Sequence, residues 1–171
     1  MRRLLLLSSL AIGLVIPLTP VVCFAQANAT QTNDGFNLSS VDALLAKGDR
    51  EAASGNLTEA VKSYDKARNA SRSLLSFYRD LGGAFRGLDA RIPRDMDQKG
   101  RESIEKLAQA NLRLAAVYRR QNQSEVAVPL LVEVVKLMTP STADGRKAYQ
   151  QLVEVGFVST PYAAPAAAAT N

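Results

Sequence analysis

The stretch from Leu44 to Ala67, LLAKGDREAASGNLTEAVKSYDKA, decides how the rest of the chain reads. It places the small Gly48 on one amphipathic segment and a polar turn at Gly55 and Asn56. Ala60, Tyr64 and Ala67 then follow at three- and four-residue steps on a second segment. Small residues at helical spacing on both arms of a hairpin let two backbones approach closely. The stretch therefore predicts two antiparallel helices in contact and, working outward from it, an all-α protein.

Upstream, Val41, Leu44, Leu45, Gly48 and Ala52 keep the same steps, so the first helix runs from a hydroxyl cap at Ser39 or Ser40 to about Ser54. Asn56, with Glu59 three residues later, has the spacing of a capping box for the second helix. Downstream, Ala60, Tyr64, Ala67, Ser71, Leu74, Tyr78, Leu81, Phe85 and Leu88 continue the step with no proline before Pro93. That predicts one long helix, kinked or ended at Gly82-Gly83. Ile92-Pro93 marks a break. A third helix is expected from about Asp95 to Gln121, with Ile104, Leu107, Ala108, Asn111, Leu114, Ala115 and Tyr118 inward. Ser124 is expected to cap a fourth, ending at Thr139-Pro140. Its run VAVPLLVEVV is rich in β-branched residues that suit a strand. Pro129 favours the helix, because proline is poor inside a paired strand and tolerable near a helix start. A shorter fifth helix covers Ala143 to Val155, with Ala148, Leu152 and Val155 inward and Gly156 as its stop. Residues 28–38 read as a flexible lead-in and residues 157–171 as a disordered Ala/Pro-rich tail.

Met1-Arg2-Arg3, the apolar run from Leu4 to Ile16 and the small residues of Ala25-Gln26-Ala27 have the form of a secretory signal peptide. The apolar run is short for a bilayer span, and Pro20-Val21-Val22 lacks the small residues that precede a lipidated cysteine. The expectation is cleavage near Ala27 and an exported chain in the periplasm, thylakoid lumen or extracellular space. Removing residues 1–27 leaves 144 residues (171 − 27), the size of one domain, here placed over residues 39–156. The only cysteine, Cys23, goes with the signal, and the chain has no histidine. Disulfides, thiolate or imidazole metal sites and the common nucleophilic triads are thereby excluded from the mature chain. Two arginines leave as well, so the formal charge falls from +5 to +3, too small an excess to point to nucleic acid.

The first hairpin resembles a tetratricopeptide repeat, with Leu44 at the large-residue site, Lys47-Gly48 at the Leu-Gly site, and Ala60, Tyr64 and Ala67 along the second helix. Glu51 and Arg72 depart from the aromatic and the proline of that pattern. A second hairpin fits similarly through Leu114-Ala115, Tyr118 and Ala127, with Asn111 standing where a large apolar residue belongs and Leu131 in place of an aromatic. Ala60 and Ala127 lie 67 residues apart (127 − 60), near two periods of about 34. That leaves room between them for a third unit or for one extended helix. The resemblance implies a right-handed superhelix of about five helices; a four- or five-helix bundle would use the same apolar faces. It also implies a concave groove in which Leu45, Asp49 and Ala52, with Leu112, Ala116 and Arg119, face a protein ligand. Asp49 stands where members that clamp a peptide carboxylate carry an amide, which argues against that clamp.

Catalysis has little to work with. Asp95 and Asp97 are the candidate acid pair for a hydrolase, and acids near a helix start more simply complement its dipole. Gly82-Gly83 lacks the strand and lysine of a phosphate loop. No catalytic residue, metal or cofactor is expected. The Asn-x-Ser/Thr triplets at Asn28, Asn37, Asn56, Asn69 and Asn122 are read as structural, Asn56 and Asn122 as turn residues. Arg72, Arg79 and Arg86 recur every seven residues on the long helix and suggest a basic face for an acidic protein patch or an anionic lipid surface. The reading is a non-enzymatic, protein-binding adaptor or assembly factor. The alternative is a helical-bundle subunit docked on a larger membrane-associated complex.

Overall fold

A computed structural model describes residues 36–163. The expected signal peptide, residues 28–35 of the lead-in and residues 164–171 of the tail lie outside the described residues. Within them the chain is all-α, with five helices: α1 Leu38–Ala53, α2 Leu57–Ala84, α3 Arg91–Arg120, α4 Ser124–Met138 and α5 Ala143–Glu154.

Helix ends differ from expectation for local reasons. α1 is capped by Asn37, two or three residues before the expected serines: its carboxamide oxygen accepts from the Ser40 amide at 2.9 Å, while Ser40 completes the reciprocal box. Asn56 occupies the cap position of α2 without a side-chain bond, and Glu59 pairs with Lys62 at 2.6 Å, so the expected capping box does not form. α2 runs through Gly82 and Gly83 before ending at Ala84. α3 starts at Arg91, four residues earlier than expected, and takes Ile92-Pro93 into its first turn. Proline is tolerated there because first-turn amides have no intrahelical acceptor. Ser124 is the first residue of α4, not its cap, and Gln123 at the cap position makes no side-chain bond. α4 keeps Pro129 inside it and buries Ala127, Leu130, Leu131 and Val134, so tertiary burial overrides the strand preference of its β-branched residues. Gly156, at φ 75°, ends α5 as expected.

The tail expected to be disordered from residue 157 instead folds back onto α5 over residues 157–163. The amides of Phe157 and Val158 donate to the Leu152 carbonyl, Tyr149 donates to the Thr160 carbonyl at 2.8 Å, and the Tyr149 and Tyr162 rings meet edge to face. At the other end, Phe36, expected in the flexible lead-in, stacks edge to face on Phe77 with ring centroids 5.7 Å apart.

Consecutive helices pack on one another, and α3 also touches α1 and α5. That central position explains its burial. Of the expected stripe, Leu107, Ala108, Asn111, Leu114 and Ala115 are covered while Ile104 and Tyr118 at its ends are half-buried, and Ala110, Leu112 and Val117 around the rest of the helix are covered as well. On one side α1, α3 and α5 run in parallel. Asp42 pairs with Lys106 at 2.6 Å and Asp49 with Arg113 at 2.9 Å, both 64 residues apart, whereas Arg119 meets Glu154 only 35 residues on. α2 and α4 form the other side, joined through Arg68 and Arg72 to Glu133.

The difference between those two registers is an arm. α1, 16 residues long, reaches along α2 only to about residue 72, and the 15 residues of α4 cover α3 only back to about residue 106. Apart from the Phe36 ring on Phe77, the remaining part of each long helix packs only on its partner, through Leu75, Gly82, Met96 and Gly100, outside the main core cluster. At about 1.5 Å per residue, this two-helix arm extends roughly 20 Å beyond the five-helix body.

Candidate functional site

The side of the body formed by α1, α3 and α5 holds one closed seam and one open one. Between α1 and α3 the Asp42–Lys106 and Asp49–Arg113 pairs, with the Arg120 guanidinium donating to the Ala52 carbonyl at 3.2 Å, bridge the gap. Asp49 also accepts from the Tyr64 hydroxyl at 2.7 Å; burial of that phenol, reinforced by this bond, raises its pKa above the usual value. Tyr64 lies against Gly48, where an added Cβ would overlap its ring, so close approach of α1 and α2 requires glycine.

Between α3 and α5 two adjoining hollows of about 320 and 330 Å³ share Ala116, Lys147 and Gln151. Ala116 is exposed and, with the edge of Leu112, forms an apolar floor. Gln109, Arg113, Asp144 and Gln150 border it, and at one end Arg119 is held by Glu154 at 3.0 Å and Gln151 at 3.3 Å. An apolar strip edged by carboxamides and cationic groups can receive an extended peptide, because carboxamides both donate to and accept from a backbone. Among the described residues no group of three or more His, Cys, Asp or Glu is placed to hold a metal.

The structure separates the nine expected contact residues. Leu112, Ala116 and Arg119 meet in the open seam. Leu45, 3% exposed, belongs to the core and offers a ligand no surface. Asp49 and the Ala52 carbonyl are engaged in the closed seam. Arg72 leaves the expected arginine face to bond Glu133, with one terminal nitrogen 2.5 and 2.7 Å from the two carboxylate oxygens. Arg79 and Arg86 are exposed on the arm and have no ion pair among the described residues. Asp95 pairs with Lys99 at 3.3 Å, and Asp97 borders a surface hollow beside Arg79 and Arg101.

Sequence reasoning did not find the polar junction at Glu133. Its carboxylate receives Arg68 at 3.3 Å, Arg72 at 2.5 Å and the fully buried Asn111 carboxamide at 3.0 Å. Burial pushes the Glu133 pKa up, but the hydrogen bonds and charges of Arg72 and then Arg68 outweigh it and hold the group below its ordinary value. The polar Asn111 on an apolar helix face was the signal; its partner lies 22 residues away on another helix. The groove's α5 edge was also missed, because Lys147 and Gln151 acquire meaning only beside Ala116.

No protein-family model matches the chain, and a search of curated proteins returns no match.

Proposed function

We propose that the protein is a non-enzymatic, exported adaptor or assembly factor of tetratricopeptide-like build that holds a protein segment in the α3–α5 groove. The observation that carries this reading is the open seam: Leu112, Ala116 and Arg119 line it together with α5 residues that no other described residue covers. The 35-residue register from α3 to α5 lies close to one tetratricopeptide period and supports the repeat-like reading; the 64-residue register from α1 to α3 is that period lengthened by the arm. Exposed Lys147, beside Arg113 that Asp49 already engages and set against Asp144, suits a peptide or surface patch carrying acidic residues. A photo-crosslinker at position 116 tests the idea in the full chain. One discrete adduct is expected, competed by the uncoupled wild-type chain and lost when Lys147→Glu reverses the groove's charge. A crosslinking pattern unchanged by Lys147→Glu would overturn it.

The alternative is a subunit docked on a membrane-associated complex through the arm. It is favoured by the apolar flank of Phe36, Phe77 and Leu81, which are 56%, 58% and 46% exposed. An isolated chain that self-associates on size exclusion, and stops doing so when Phe77→Ser and Leu81→Ser are combined, would select this reading.

A further inference from the structure

We infer that the tip of the arm is a contact site for an anionic lipid surface, a role that rests on neither reading above. The tip is the turn between α2 and α3 with the helix ends on each side, residues 85–94. Leu88 stands there 78% exposed, following Gly87, whose φ of 83° turns the chain. Around it Arg86, Arg91 and Arg94 are exposed, and the one acid, Asp89, is held by Arg91 through both oxygens at 3.1 and 2.7 Å and accepts the Arg91 amide at 2.9 Å. Asp89 thereby staples the turn, and three arginines against one aspartate leave the tip at +2.

The shaft behind it has the opposite balance. Over residues 77–84 and 95–102, Arg79, Lys99 and Arg101 are outnumbered by Asp80, Asp95, Asp97 and Glu102, a net of −1. Within the arm, net positive charge is thus found only at its end, which orients it end-on toward an anionic surface and keeps most of the acids away from that surface. Ten residues are too few for a specific protein interface, which takes about 20–30 residues a side. A bilayer needs less. One apolar side chain enters the headgroup and acyl boundary while flanking arginines bond lipid phosphates in pairs. Each basic group adds about fivefold to binding near an anionic leaflet.

The chain contains no tryptophan, so Leu88→Trp in the full chain reports from the tip alone. With phosphatidylglycerol-containing vesicles its emission is expected to shift to the blue and to be quenched by doxyl-labelled lipid, with neither effect on phosphatidylcholine vesicles. Adding Arg86→Glu and Arg94→Glu should weaken vesicle binding at least about tenfold, and added salt should do the same. Phe157→Trp on the body should show no shift. An emission unchanged by anionic vesicles, a shift that survives the double charge reversal, or an equal shift from Phe157→Trp would each overturn the proposal.

Discussion

The body and the arm share the two long helices, α2 and α3, and differ in what covers them. In the body, the C-terminal half of α3 is enclosed by α1, α2, α4 and α5, and Leu114, Ala115 and Leu131 are shut off from solvent. In the arm, the N-terminal half of α3 has only α2 beside it, and Phe77, Leu81 and Leu88 remain in water. A helix pair can bury only the stripe between its members, whereas a helix with four neighbours buries most of its circumference. The same length of helix therefore serves as core in one region and as exposed surface in the other.

The contrast can be broken most directly by core truncation. Leu131→Ala in the body should lose about 3–5 kcal/mol in urea denaturation, since a fully buried leucine leaves a cavity among fixed neighbours. Next come the glycines. Gly48→Ala should destabilise by about 1–3 kcal/mol, because the new methyl meets the buried Tyr64 ring. Gly100→Ala in the arm should stabilise by about 0.5–1 kcal/mol, because its methyl meets Leu75 Cδ1 at an ordinary 3.8 Å and the helix gains a better former. Opposite signs in thermal melts would sharpen the comparison; equal signs would break it.

Glu133 supplies a pH test confined to the body. Its pKa is held low in the folded state, so its contribution is present above the unfolded carboxylate value and is lost as pH falls through the folded one. Wild type should lose stability on acidification below about pH 4.5, the ordinary glutamate value. Glu133→Gln should start less stable at neutral pH and lose less over that range. Parallel stability–pH curves for the two chains would remove Glu133 from the account. The smallest effect is expected at Leu81→Ser on the arm flank, within about 0.5 kcal/mol of wild type, since the side chain is already half in water.

Much of this was legible from local pattern. The Gly48, Ala60, Tyr64 and Ala67 spacing located the first hairpin, all five helices were expected, and Gly156 marked the end of the last. The caps were read less well. Asn37 and Ser39 are both good cap residues by type, and which one is used depends on where the preceding chain leaves the helix. Arg72, Arg79 and Arg86 looked equivalent because heptad spacing places them on one face. Only Arg72 lies beside α4, and Glu133, 61 residues away, takes it out of the series.

By itself the sequence determined the helices and most of their inward stripes, because helical period and turn chemistry are encoded within a few residues of chain. The exceptions are Leu45, expected to face a ligand but buried in the core, and Leu81 and Leu88, expected to continue the stripe of the second helix but left in solvent, Leu88 beyond the helix end at Ala84. Tertiary structure decided which stretches became body and which became arm, which charges are engaged and where a groove opens. Those outcomes depend on pairings such as Asp49 with Arg113, 64 residues apart, which no local window contains. The stretch from Leu44 to Ala67 could announce a hairpin. Only the unequal lengths of α1, α2, α3 and α4 show that its second helix continues past its neighbours to carry Leu88 and its arginines into solvent.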